Sequence, residues 1–189
     1  MWGGNMGNFL NRELIRIIKK QNAKISKLQK RMSLDFGTGV LNKEQGFIRL
    51  KKEMKICKKK KVPMSIAFVD VDSLKKINDN YGHCEGDRAL NIIATIMGRN
   101  IRKDDFVFRF GGDEFIVVFR NSNIEEAKEI WDRVVDRINE VNFKRKLPYM
   151  ISVSAGFAGY KENTSIRDLI EYADKNMYKN KMFKYYKYA

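Results

Sequence analysis

Residues 106–119 constrain the fold of this chain more than any other stretch. Two runs rich in aromatic and β-branched residues, Phe106 to Phe110 and Phe115 to Phe119, meet at Gly111-Gly112. Such side chains suit the pleated surface of a sheet, and a glycine pair between two such runs signals a hairpin. The tight turns of hairpins need positive φ, which glycine adopts without a Cβ clash. Two carboxylates, Asp113 and Glu114, follow at the tip. Strand geometry sends neighbouring side chains to opposite faces, so the pair is expected to have different partners. An ordinary hairpin would place Asn-Gly or Lys here rather than adjacent acids against apolar strands. Taken alone, the stretch leaves a solvated acidic turn open.

Upstream, Val62 to Val71 is an apolar run, too short for a globular helix and β-branched at both ends. It reads as a buried central strand that delivers Asp70 and Asp72 at its C-terminal end, where ligand sites gather in α/β sheets. Ser73, Leu74 and Lys75 then open a helix, whose N-terminal N–H groups attract anions. Further helices are expected over Lys43–Lys60 behind the cap Asn42, over Arg88–Asn100, over Ile124–Val141 and over Ile166–Phe183, with a strand near Met150–Ala158. The order β-α-α-β-β-α-β-α, without an internal repeat, implies an α/β sandwich.

Ahead of this domain the chain starts with a glycine-rich stretch, Met1–Asn8, expected to be disordered. A segment without Pro or Gly follows, from Phe9 to about Ser33, in which Leu14, Ile18, Gln21, Ile25, Leu28 and Met32 are spaced as a coiled-coil seam. A single amphipathic helix packing on its own domain is the alternative. The division expected is 1–34, a basic helical extension, and 35–189, the folded domain. The net charge of +15 raises nucleic-acid binding, but residues 1–61 hold 17 Lys/Arg against 4 Asp/Glu, and residues 62–189 hold 21 against 19. The domain is close to neutral and shows no aromatic-studded basic groove, so no nucleic-acid partner is expected, and the basic arm reads as a solvated helix, with contact to an anionic membrane or nucleic acid as the alternative. No apolar run approaches a membrane span, no signal-peptide core opens the chain, and Cys57 and Cys84 have neither metal nor disulfide spacing. These features suggest a cytoplasmic chain, either free or the cytosolic part of a larger or membrane-tethered signalling protein.

Gly111-Gly112-Asp113-Glu114-Phe115 spells the signature of the GGDEF family, whose members condense two GTP molecules into cyclic di-GMP. Two further stretches resemble that family. Asp35-Phe36-Gly37-Thr38-Gly39-Val40-Leu41-Asn42-Lys43 is similar to its opening Asp-x-Leu-Thr-Gly-Leu-x-Asn-Arg, with Gly37 and Lys43 as departures that suggest a looser junction. Asp70 through Asp87 matches its second long motif almost throughout. The resemblance runs from Asp35 to Lys181 and implies a palm-like nucleotidyl cyclase fold, a mixed central sheet covered by helices.

The resemblance also implies roles. Asp70, the carbonyl of Val71, Asp113 and Glu114 become ligands of magnesium, two ions per active site, with manganese as a substitute; all-oxygen ligands suit such ions. Glu114 matches the family residue taken as base or second-metal ligand, and Asp113 and Lys75 join it as catalytic residues. Ser73, Leu74, Lys75 and Lys181 face the GTP phosphates, and Asn78 and Asp87 match the guanine readers. Acceptors there suit the N1 and N2 donors of guanine and reject adenine. Relatives that make mixed cyclic dinucleotides carry Ser at the position of Asp87, and this chain does not. His83, the single histidine, lies in the matching Tyr-Gly-His turn, grouped with the GTP-binding residues and read as a hydrogen-bonded loop residue rather than a catalyst. Arg102 and Asp105 fit the family's Arg-x-x-Asp inhibitory product site, joined by Arg133; an ordinary helix-end salt bridge is the alternative. After Lys181, where the family continues Gly-Arg-Asn, this chain has Lys184-Tyr185-Tyr186, so an arginine expected near phosphate is missing. The expected activity is a magnesium-dependent diguanylate cyclase acting as a homodimer through the N-terminal helix and facing active sites, with cyclic di-GMP as product and inhibitor. A catalytically silent receptor for cyclic di-GMP or GTP is the rival.

Overall fold

The structure, a computed structural model, describes residues 12–21 and 33–188. The chain divides into two units, Met1–Leu34 and Asp35–Ala189. In the first, residues 12–21 form helix α1, along which Leu14, Ile15, Ile17 and Ile18 stand at least half exposed. Ile25, Leu28 and Met32 of the seam, and the glycine-rich start, lie outside the described residues.

The second unit runs α2 (Lys43–Lys60), β1 (Met64–Val71), α3 (Leu74–Tyr81), α4 (His83–Asn100), β2 (Phe106–Arg109), β3 (Glu114–Arg120), α5 (Ile124–Phe143), β4 (Val153–Gly159) and α6 (Ile166–Tyr188). Its four strands form one sheet in the order β2-β3-β1-β4, every neighbouring pair antiparallel. A parallel component enters through the isolated bridge between Leu41 and Phe108. This is the expected α/β sheet covered by helices.

The near-continuous apolar runs of β1 and β3 are explained by burial on both faces. Ala67, Val69, Val71, Phe115, Val117 and Phe119 pack with α3, α4 and α5. Met64, Ile66, Phe68, Ile116 and Val118, one position out of phase, pack with α2 and α6. All eight residues of β1 are buried, so the central strand is dry along its whole length until it reaches Asp70. Full burial of a Phe, Leu or Ile contributes about 1.5–3 kcal/mol, and Phe108, Phe115 and Phe119 are among the largest buried completely.

Helix ends follow local chemistry. Asn42 caps α2 by accepting from the Gln45 N–H at 3.0 Å, as expected. Asn123 and Glu126 close a reciprocal capping box on α5, each side chain accepting from the other's backbone N–H at 2.9 Å. Among the described residues no helix is long and apolar enough to cross a membrane.

Candidate active site

The central strand ends beside the hairpin tip. The register pairs Asp70 with Glu114 on one side and with Ser154 on the other, and the Val71 N–H donates to the Asp113 carbonyl at 3.0 Å. Asp70 and the Asp113-Glu114 pair, 43 positions apart in Asp113's case by numbering, are therefore neighbours because β1 and β3 are neighbours. Asp70 is 9% exposed, and the Lys181 ammonium donates to its Oδ1 at 2.6 Å. Burial pushes the Asp70 carboxyl above the ordinary aspartate range; Lys181 opposes this, while Asp113 and Asp72 add to it. Burial raises Glu114 too, reinforced by Asp113, Asp70 and Asp174 and opposed by Lys43. The carboxylates thus repel one another here, a repulsion that a bound cation would relieve. Asp72 is differently engaged: the hydroxyls of Ser152 and Ser154 donate to its carboxylate at 2.8 and 2.6 Å.

The hairpin forms where expected, for a different reason. Positive φ among the glycines occurs at Gly39 and Gly82, not at Gly111 or Gly112. Arg109 holds the turn instead. Its Nε donates to the carbonyls of Gly111 and Gly112, its Nη2 to Gly112 at 2.7 Å, and its Nη1 to Asp35 Oδ1 at 3.0 Å. A Cβ at Gly111 would stand 2.3 Å from Glu114 Oε2, so any other residue there would push the Glu114 carboxylate aside. At Gly112 a Cβ would meet nothing within 4 Å, which leaves the tip open to approach.

Beyond β1, Ser73 takes a left-handed conformation, φ 58° and ψ 24°, uncommon for a residue with a side chain. Its side chain makes no cap bond to α3, so the first N–H groups of that helix, at Leu74 and Lys75, are not satisfied by it. Lys75 is exposed on the first turn. Asn78 lies half-buried against α4, and a Cβ on Gly86 would come 1.8 Å from its Oδ1. The close approach at Gly86 packs Asn78 against α4 one residue before Asp87, which is exposed. His83 is the first residue of α4 and is exposed, rather than held in a loop. The α3–α4 elbow is tied from outside: Tyr149 donates to the Glu85 carbonyl at 2.9 Å and its carboxylate at 2.8 Å, and Tyr81 donates to the Pro148 carbonyl.

Arg102 and Asp105 do not form the helix-end salt bridge that was one reading. Asp105 accepts from the backbone N–H of Arg102 at 3.1 Å and of Arg120 at 2.9 Å, while the Arg102 guanidinium donates to Ser122 Oγ. Arg133 lines a separate groove of about 560 Å³ between α4 and α5, together with Arg99 and Arg137. The residues that the sequence reading passed over are Arg109, Gly86 and Tyr149. Arg109 carried one signal, a charge closing an aromatic strand just before a turn. Tyr149 carried none, since its partner is distant in sequence.

Asp70, Asp113 and the Val71 carbonyl are hard oxygen donors in a negative cluster, a set that fits magnesium. Among the described residues no three His, Cys, Asp or Glu side chains converge to hold an ion by themselves. That also fits magnesium, which binds through one or two carboxylates and takes its other ligands from water and substrate phosphates.

A family model described as the diguanylate cyclase GGDEF domain matches residues 32–184. Among curated relatives, diguanylate cyclase DosC of Escherichia coli K12 is 29% identical over 168 residues, covering 88% of this chain and 36% of the relative. Diguanylate cyclase DgcP of Pseudomonas aeruginosa is 32% identical over 145 residues, covering 76% of this chain and 22% of the relative. The chain thus spans about a third or less of the length of these two proteins. The solved coiled coil and GGDEF domain of DgcB from Caulobacter crescentus, in complex with c-di-GMP, superposes with a TM-score of 0.82 at 21% identity, covering 93% of this chain and 94% of that one. That likeness establishes the fold. The GGDEF domain of YfiN (TpbB) from Pseudomonas aeruginosa gives a TM-score of 0.71 at 28% identity, covering 79% and 88%.

Proposed function

Since the chain belongs to the GGDEF domain family of diguanylate cyclases, we propose that it condenses two GTP molecules into cyclic di-GMP, releasing two pyrophosphates. One observation carries the reading: the register of β1 and β3 sets Asp70 beside Asp113 and Glu114, at the strand end from which α3 starts. The reaction needs an oxygen nucleophile in line with an α-phosphate and neutralisation of spreading negative charge, which is a task of positioning and electrostatics.

Asp70, Asp113 and the Val71 carbonyl hold magnesium, with Glu114 as base or ligand of a second ion. Bound there, magnesium supplies phosphate charge neutralisation and a more acidic attacking hydroxyl. The backbone N–H groups of Leu74 and Lys75 receive the β- and γ-phosphates beside Ser73, with the Lys75 and Lys181 ammonium groups as counter-charges. Asn78 and Asp87 accept from the guanine edge, near His83. Each subunit holds one GTP, so two must face each other, with the N-terminal helix bringing them together in the cytoplasm. Arg102 and Arg133 offer guanidinium forks to product, which then restrains turnover.

The rival reading is a catalytically silent receptor for cyclic di-GMP or GTP. Incubation with GTP and magnesium, with the product identified by mass, separates the two. Cyclic di-GMP is expected; unreacted GTP together with calorimetric binding of cyclic di-GMP would establish the receptor. Calorimetry on Arg102→Ala tests the inhibitory site, with weaker product binding expected and equal affinity counting against it.

A further inference from the structure

Helix α6 runs along the outer edge of β4, an edge strand paired with β1 alone. Ser152 turns its carbonyl toward β1, where it accepts from the Asp72 N–H. Alternation along the strand therefore turns the carbonyls of Val153, Ala155 and Phe157 outward. A side chain of α6 takes each of these three. Asn176 donates to Phe157 at 2.9 Å, Asn180 to Ala155 at 2.8 Å, and Lys184 to Val153. Side chains thus occupy the acceptors that would otherwise invite another strand.

We infer that this three-rung ladder fixes the register of α6 on the sheet and thereby places the Lys181 ammonium on Asp70. The spacing supports it. Four residues of helix rise about 6 Å and two residues of strand about 6.7 Å, so rungs at 176, 180 and 184 keep step with 157, 155 and 153 in the antiparallel direction. The mismatch accumulates to about 1.4 Å over two steps, and the third rung is the long, flexible lysine. Gly156 brings the helix within reach of the short asparagines: a Cβ there would stand 1.9 Å from the Met177 nitrogen and 2.3 Å from the Ala173 carbonyl. Asp70 is paired across the sheet with Ser154, which lies between the carbonyls that Asn180 and Lys184 hold. Lys181, the residue after Asn180, is bracketed by those two rungs. A slip of one rung would carry it past Asp70. Asn176 and Asn180 are accordingly positioning residues for that ion pair.

The consequence for turnover rests on the cyclase reading; the register itself does not. The test is Asn176→Leu with Asn180→Leu, which keeps side-chain size and removes both donors. Both asparagines are exposed, so water can cover the vacated carbonyls and circular dichroism should show a folded chain. In nitrogen-edited NMR at low temperature, the Lys181 ammonium signal is expected in the unaltered protein, where pairing slows exchange, and is expected to vanish in the double variant. Its absence from the former or its persistence in the latter overturns the inference. In turnover, the double substitution should cost about tenfold with Lys181 present and less than about twofold in a Lys181→Met background, the non-additivity of residues acting as one unit. Equal losses in both backgrounds reduce the ladder to packing. If the unaltered protein makes no cyclic di-GMP, the cyclase reading falls while the NMR comparison still decides the ladder. Should the double variant not fold, Asn180→Leu, the rung beside Asp70, is read in the same way.

Discussion

Asp70 and Asp105 are the two buried aspartates among the described residues, 9% and 6% exposed, and burial pushes both carboxyls above their ordinary range. They are satisfied in opposite ways. Asp105 is held by two backbone N–H groups, from Arg102 and Arg120, with both guanidinium groups near enough to favour its ionised form. Asp70 is held by one side-chain ammonium and has Asp113 and Asp72 as like-charged neighbours. A carboxylate saturated by rigid backbone donors fixes the chain around it. One with a single exchangeable counter-charge and like-charged neighbours can take a new cation. Burial alone therefore does not identify a reactive acid; the rigidity and sign of its partners do.

The contrast breaks most directly at Asp70. Replacing it as Asp70→Asn should lower cyclic di-GMP formation by roughly 10²–10³-fold, the scale of removing one group that stabilises transition-state charge. The unfolding midpoint should hold or rise, because a desolvated charge among like charges is removed. A clear fall in that midpoint would place Asp70 with the structural acids. Asp105→Ala should behave conversely. Two part-buried N–H groups lose their acceptor, so about 2 kcal/mol of stability and roughly 6 °C of Tm should disappear in thermal unfolding. The initial rate per folded molecule should stay near normal, and a collapse of that rate in folded protein would erase the distinction.

A smaller effect sharpens it. The Tyr149 hydroxyl braces the elbow that carries Asn78 and Asp87, and burial together with Glu85 pushes its pKa up to about 12, so it remains a donor throughout the working range. Losing it in Tyr149→Phe should cost about 1 kcal/mol, a rise of about fivefold in the KM for GTP with kcat little changed. Steady-state kinetics with a fall in kcat alone would count against the brace.

The smallest effect lies in pH. Burial acts to raise Asp35, but hydrogen bonds from Thr38 and Arg109 outweigh it and hold the carboxyl below its ordinary value of 3.8. Its stabilisation is therefore complete above that value and lost as pH falls through the lowered folded one. Asp105, raised, has the opposite sign: its contribution is fullest below 3.8 and is lost as pH rises through the raised value. Denaturant titrations should show Asp35→Asn least stable relative to the unaltered chain near neutrality, the gap closing below pH 3.8. A gap that widens in acid would reverse the assignment.

Much of this was legible in the residues. The helix over Lys43–Lys60 follows from Asn42 and its basic run, and the strand ending at Asp70 follows from an uninterrupted apolar run. The hairpin was also legible, although its cause was not. Glycines at a turn suggested positive φ, but here neither adopts it; Gly111 approaches Glu114, and Arg109 fixes the backbone. The Arg102 and Asp105 pair was visible as spacing, yet spacing could not show that Asp105 bonds main chain rather than guanidinium. Arg133 was within reach of a pattern match, but the α4–α5 groove that it lines depends on how two helices pack.

The sequence by itself determined what depends on near neighbours: burial on both faces of β1 and β3, the capped helix starts, and the acids at two strand ends. Local preferences and hydrophobic period act within a few residues, so they survive in a one-dimensional record. Only the tertiary structure decided the partners. Arg109 meets Asp35 across 74 positions, and Lys181 meets Asp70 across 111. Those pairings depend on strand order, on register, and on how closely Gly156 lets α6 approach β4. A charge can be read from a residue's identity, but its partner is whatever the packed backbone carries within about 3 Å of it.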